Sequence, residues 1–319
     1  MAYPIVGHCS CTRENQPILR AYEAGMDSLS LTAGTQDRDH RASSHDTVVI
    51  PAGTAETAMG RLEARLACNR DEIRAAQRLR HRVFFADRSG AVGLSSLKRH
   101  DEDEFDAVCD HIVVLDHSAD RQKPMVVGTY RLLRRDVAEY HGGFYTAREF
   151  DITPLLARRT CRLLELGRSC VLPSYRNGRV IALLWQAIWD YARRHEADAM
   201  FGCGSFTGTD PDVLAQPLRF LHQNALAPEE WRACAWPQRR VRVACSDDLP
   251  DIRTSVRALP PLIKAYLRVG AFIGDGAVCD FDFGTTDVCI VLPVARIEQR
   301  YLAHFGPRCD APAAPAALT

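Results

Sequence analysis

From residue 61 onward the apolar positions recur with two periods in alternation. Over residues 61–68, Leu62, Ala64, Leu66 and Cys68 alternate with Arg61, Glu63 and Arg65, a spacing of two that predicts a strand. Asn69 follows in an N-cap position with Glu72 three residues on, and Ile73, Ala76, Leu79, Val83 and Phe84 then recur at helical spacing. Beyond an acidic loop at 101–106, two apolar runs at 111–116 and 125–133, separated by polar turn residues, predict an antiparallel pair at the centre of a sheet. Residues 161–169 predict another strand, leading through Pro173 and Gly178 into an amphipathic helix over 179–193. Further strands are expected at 199–203, 241–244, 278–283 and 288–292, with a helix opening at Pro260 and Pro261. This order describes one mixed α/β unit without internal repeats.

The two ends of the chain lack such patterning. Residues 1–57 are rich in Ser, Thr, Asp, Arg and Gly and predict a flexible leader, and 306–319 predict a disordered Ala/Pro tail, which assigns the folded domain to 58–305. With 40 Lys and Arg against 40 Asp and Glu, no net field argues for a nucleic-acid partner. The twelve cysteines are scattered with no C-x-x-C spacing and are expected as free thiols, and no metal site is expected. The N-terminus shows neither the charged start nor the apolar run of a secretory signal, and no stretch approaches the ~20 apolar residues of a membrane span. A cytoplasmic location is expected, with any membrane contact peripheral.

One segment concentrates chemistry. Over 164–179 a predicted strand carries Glu165, Arg168, Ser169 and Cys170, and then a loop with Pro173, Arg176, Asn177 and Gly178 opens a helix at Arg179. Free backbone N–H groups and the positive dipole end of such a helix favour an anion, which suits a phosphate-bearing thioester, although a plain strand-to-helix connection has the same pattern.

This order of strand, loop and helix resembles the GNAT acyltransferase superfamily. The resemblance implies a mixed, mostly antiparallel, twisted central sheet flanked by helices, with the thioester lying where central strands splay. The coenzyme A loop of that superfamily, R/Q-x-x-G-x-G/A, would need glycines at 179 and 181, where this chain has Arg179 and Ile181. A single phosphate on the phosphopantetheine arm of acyl carrier protein fits Arg176 and Arg179 better than a diphosphate does. Four further segments resemble the acyl-homoserine-lactone synthases in the same order: Arg80-His81-Arg82-Val83-Phe84, Asp103-Glu104-Phe105-Asp106, Tyr130-Arg131-Leu132-Leu133 and Glu165-Leu166-Gly167-Arg168. The tryptophan those synthases carry after the first segment is absent from Ala86-Asp87-Arg88-Ser89-Gly90, which argues against their acceptor. The full pattern is most similar to the bacterial L-ornithine N-alpha-acyltransferases, also labelled hemolysin-like. Its most specific segments are 109–114, 142–151, 202–206 and 259–268.

That resemblance implies transfer of a 3-hydroxyacyl group from acyl carrier protein to a small amino acid, ornithine, with the carrier's thioester as co-substrate and no resident cofactor. It places a protein of lipid synthesis in the cytoplasm or on the inner face of the bacterial cytoplasmic membrane. The roles it suggests are a general base at Glu165 with Arg168 and Ser169 beside it, and donor binding by Cys170, Val171, Arg176, Asn177, Gly178 and Arg179. Acceptor binding falls to Asp103, Asp106 and Arg131, and carrier-protein docking to Arg80 and Arg82. The plainer readings stand beside these: Glu165 paired with Arg168 or Arg131, a solvated acidic run at 101–104, and solvated helix arginines. Other acceptors, an acyl-coenzyme A donor, and a non-catalytic lipid-binding module are the alternatives.

Overall fold

The computed structural model describes residues 55–56, 61–85, 99–118, 120, 122–176, 178–242 and 251–297. The tail, the rest of the leader, Asn177, the 86–90 segment and the end of the strand expected at 241–244 lie outside them. In chain order the elements are β1 (Ala55–Glu56), β2 (Leu62–Leu66), α1 (Arg70–Phe85), β3 (Asp110–Asp116), β4 (Met125–Arg134), α2 (Arg135–Tyr140), β5 (Phe150–Asp151) and α3 (Thr153–Ala157). They continue with β6 (Leu163–Val171), α4 (Arg179–Arg194), β7 (Ala199–Thr207), α5 (Ala215–Ala225), β8 (Cys234–Ala235), α6 (Ile252–Ala258), α7 (Pro261–Arg268), β9 (Phe272–Asp280) and β10 (Thr285–Pro293). The described strands form one sheet in the order β1-β2-β3-β4-β6-β7-β10-β9-β8-β5. It is antiparallel except at β6/β7 and β8/β9.

Strand periodicity sorts the side chains into two layers. On one face Ile112, Val114, Leu132, Leu164 and Leu166 pack against Val180, Leu183, Leu184 and Ile188 of α4, joined by Ile263 and Tyr266 of α7. On the other, Val113, Leu115 and Cys170 meet Ala76 and Leu79 of α1. Farther along that second face, Leu133, Leu163, Phe201 and Val291 pack with Phe144, Phe150 and Leu155 from the segments after α2. Between those two apolar clusters the second face turns polar, and the site lies there. The apolar stripe on 259–270 puts Leu259, Ile263 and Tyr266 in the core. Among the described residues no helix is long and apolar enough to cross a membrane.

Candidate active site

The site is made by two strands that part. β6 and β7 run parallel and pair only at Leu163 with Ala199, Leu164 with Met200 and Glu165 with Phe201. β6 then continues to Val171 and β7 to Thr207 without further pairing between them. Gly202 sits at the parting point, where a Cβ would lie 2.1 Å from the Leu166 carbonyl oxygen, so only glycine admits this approach. On its other edge β6 is bulged: Arg131 pairs with Gly167 and Thr129 with Cys170, so Arg168 and Ser169 together oppose Tyr130. Arg168 takes a φ of +52°, a conformation costly for a residue with a side chain. Splay and bulge together expose backbone at the centre of the sheet, where strands ordinarily satisfy each other.

A cavity of about 600 Å³ opens over this point, between the sheet, the end of α1 and the β9/β10 turn. Glu165, Arg168 and Ser169 all line it. Glu165 is 5% exposed and accepts hydrogen bonds from the backbone N–H groups of Thr146 (2.6 Å) and Tyr145 (3.1 Å). Burial raises its pKa, and the Thr146 and Tyr145 donors moderate the rise. The ion pair with Arg131 or Arg168 that a purely structural Glu165 would make is not formed. Both guanidinium groups are engaged elsewhere. A held, desolvated carboxylate on a cavity wall is suited to take a proton.

Behind this wall lies a buried network of three arginines and three aspartates. Arg80 grips both carboxylate oxygens of Asp106 at 2.7 Å, contacts Asp101 Oδ2 at 2.8 Å and donates to the Asp101 carbonyl. Arg131 joins Asp103 at 2.5 Å and Asp106 at 3.4 Å, and Arg168 joins Asp103 at 3.0 Å and Asp101 at 3.2 Å. Asp103 also caps the short 3-10 turn at Glu104–Ala107. Three expectations change accordingly. Arg80 is 1% exposed and cannot dock a carrier protein, whereas Arg82 is exposed and lines the cavity. Asp103 and Asp106, expected to bind the acceptor, do not line the cavity, and their oxygens are engaged by arginines. Arg131, paired with Asp103 and Asp106, lines the cavity as well.

The donor side also departs from expectation. Cys170 and Val171 are buried with their side chains in the two apolar layers and do not line the cavity. Past them a 3-10 turn at Pro173–Tyr175 leads to Gly178 at φ +85°, the N-cap of the 16-residue α4. Gly178 has no side chain to cap the first N–H groups of α4. Arg176 and Arg179 are exposed, with Arg176 on the cavity wall and its Nε donating to the Val171 carbonyl.

Sequence reasoning assigned no role to Glu149, Cys203 and Asp287, which the fold brings together. An oxygen of each carboxylate and the Cys203 sulfur lie within 4.8 Å of one another. The Cys203 thiol donates to Glu149 Oε2 at 3.4 Å. The available signal was a lone acid in an otherwise apolar strand at Asp287, on the same face as Cys289 and Val291.

Residues 79–186 match the acetyltransferase (GNAT) domain family. An L-ornithine N(alpha)-acyltransferase of Rhizobium meliloti (strain 1021) is 48% identical over 263 residues, covering 81% of this chain and 89% of that protein. The chain belongs to the L-ornithine N(alpha)-acyltransferase family. An enzyme of the same description from Rhodobacter capsulatus is 43% identical, covering 78% of this chain and 96% of that one. Among solved structures, an N-acyl amino acid synthase from uncultured soil microbes overlays with a TM-score of 0.42 at 12% identity, covering 74% of this chain and 92% of that chain. As a member of this family the chain is an acyltransferase, not a non-catalytic lipid-binding module, and the fold is the GNAT acyltransferase α/β fold.

Proposed function

We propose that this enzyme transfers a 3-hydroxyacyl group from acyl carrier protein to the α-amine of L-ornithine, giving a lyso-ornithine lipid. The observation that carries the reading is Glu165, held by two backbone N–H groups on the wall of a cavity at the parting of β6 and β7. An α-amine has a pKa near ~8, so most of it is protonated at neutral pH and needs a base. Glu165 accepts that proton directly or through one water, the freed nitrogen attacks the thioester carbon to form the C–N bond of a tetrahedral intermediate, and its collapse breaks the C–S bond. The departing pantetheine thiolate takes up the second proton that the nitrogen sheds on becoming an amide. The negative oxygen of the intermediate is stabilised by backbone N–H at the 168–169 bulge. Arg176 and Arg179 at the start of α4 hold the phosphate of the donor arm. Arg82 offers the exposed cation for the carrier's acidic surface, at the inner face of the cytoplasmic membrane where the amphiphilic product leaves.

The test mixes the protein with a 3-hydroxyacyl carrier protein or the matching acyl-coenzyme A, offers ornithine, lysine or glycine, and follows N-acyl product by mass spectrometry. Product from carrier protein and ornithine supports the reading. Product only from coenzyme A, or only with another acceptor, corrects donor or acceptor, and no product from any pair overturns it.

A further inference from the structure

Beside Glu165 the cavity wall carries a second acidic constellation that the transfer chemistry does not use. Asp287 and Thr285 from β10, Asp280 from β9, and Cys203 and Ser205 from β7 share the face of the sheet that lines the cavity. Glu149 lies directly behind them, 1% exposed. Asp287 is 5% exposed, lines the cavity, and its Oδ1 is buried without any hydrogen-bond partner. Among the described residues no Arg, Lys or His comes within ion-pair distance of Glu149 or Asp287, whereas nearby Arg168 is spent on Asp101 and Asp103. Two carboxylates buried side by side without a cation are costly, and such an arrangement persists where a bound cation completes it.

We propose that Asp287 and Glu149 form the subsite for the side-chain ammonium of a diamino-acid acceptor, and so select ornithine over amino acids that lack a terminal amine. The proposal rests on the acceptor reading given above. An ammonium offers three N–H donors, and the site holds acceptors to meet them: Asp287 Oδ1, the second carboxylate, and the Ser205 and Thr285 hydroxyls, which accept as well as donate. A divalent metal fits less well. Burial and the neighbouring carboxylates push the Cys203 thiol well above its usual pKa, so it stays a thiol and a poor ligand. With the pair empty, burial and mutual repulsion raise Glu149 to about 7 and burial raises Asp287 to about 6. The pair then holds a proton that an arriving ammonium replaces. The acceptor therefore lies with its reacting amine at Glu165 and its second amine at Asp287, both on the lining of the same cavity.

The experiment compares L-ornithine with norvaline, the same carbon chain without the terminal amine, in wild type and Asp287→Asn at saturating donor. The wild type is expected to favour ornithine in kcat/KM by about a hundredfold, and Asp287→Asn to shrink that ratio about tenfold or more through KM for ornithine. Glu149→Gln is expected to shrink it in the same direction, with circular dichroism reporting the fold of both variants. Equal use of both acceptors by the wild type overturns this inference and leaves the N-acyltransferase reading standing, while acylation of neither overturns both. A ratio unchanged by either folded variant, or ornithine turnover lost to EDTA and restored by a divalent cation, overturns the ammonium subsite.

Discussion

Replacing Arg80 by Met keeps the length and apolar bulk of the side chain while deleting the charge that anchors the buried network. In the wild type Arg80 makes two 2.7 Å bonds to Asp106, an ion contact to Asp101 at 2.8 Å and a bond to the Asp101 carbonyl, all at 1% exposure. Without it Asp106 keeps only the Asp103 N–H at 3.0 Å, Arg131 at 3.4 Å and His111 at 3.8 Å, and Asp101 keeps Arg168 at 3.2 Å. Removing one partner of such a pair costs about 3–5 kcal/mol, against a total stability of about 5–15 kcal/mol for a domain. Urea unfolding followed by circular dichroism should show that loss. A cycle with Asp106→Asn should show the double variant losing less than the sum, by about 1–3 kcal/mol. The pH dependence gives a second signature. Burial alone would raise the Asp106 carboxyl, but the Arg80 bonds and the Arg80 and Arg131 charges outweigh it and hold the carboxyl well below the usual range. A depressed carboxyl contributes stability above its unfolded pKa near ~4 and loses it as pH falls through its folded value, so the wild type should weaken steeply below pH ~4 and Arg80→Met less steeply. A loss under about 1 kcal/mol, with a selective rise in KM for the carrier protein, would refute the reasoning and restore the docking role expected of Arg80.

Two further outcomes follow from the site. Gly202→Ala places a Cβ against the Leu166 carbonyl oxygen, and since backbone must shift to admit it, we expect about 1–3 kcal/mol of destabilisation with a fall in kcat; an active, equally stable variant would show that the strands part for another reason. Asp287 has a raised carboxyl pKa of about 6, so it favours the fold below its unfolded pKa of ~4 and loses that contribution as pH rises to about 6. Asp287→Asn should therefore gain on the wild type by up to ~3 kcal/mol between pH 4 and pH 7.5 in unfolding experiments, and a constant difference would contradict the shift.

Much of the scaffold is legible in the residues. The helix opening at Asn69 forms as its capping pattern predicts, with Asn69 Oδ1 accepting from the Glu72 N–H. The runs at 111–116 and 125–133 pair antiparallel as their alternation requires. What eludes the sequence is whatever depends on tertiary partners. The acidic run at 101–106 has the composition of a solvated loop, yet the apolar Phe105 and three arginines from other elements draw it inward. Arg80 carries a usable clue, since it follows Ala76 by one helical turn on the buried stripe of α1. The bulge at Arg168 carries none, because a left-handed residue is ordinarily announced by Gly or Asn and not by Arg. Glu149 and Asp287 are separated by the whole second half of the sheet, and only the strand order places them together.

The proton acceptor is tested most directly by comparing acyl transfer to ornithine by wild type and Glu165→Gln from pH 6 to pH 9, with the fold of both verified. The variant keeps the shape and, through its single amide oxygen, one of the two backbone hydrogen bonds, but cannot take a proton. It should be slower by about 10²- to 10⁴-fold at neutral pH, with a rate that climbs as the free amine fraction climbs. Equal rates across that range would contradict the account, and the acid at the parting of β6 and β7 would then be a structural group alone.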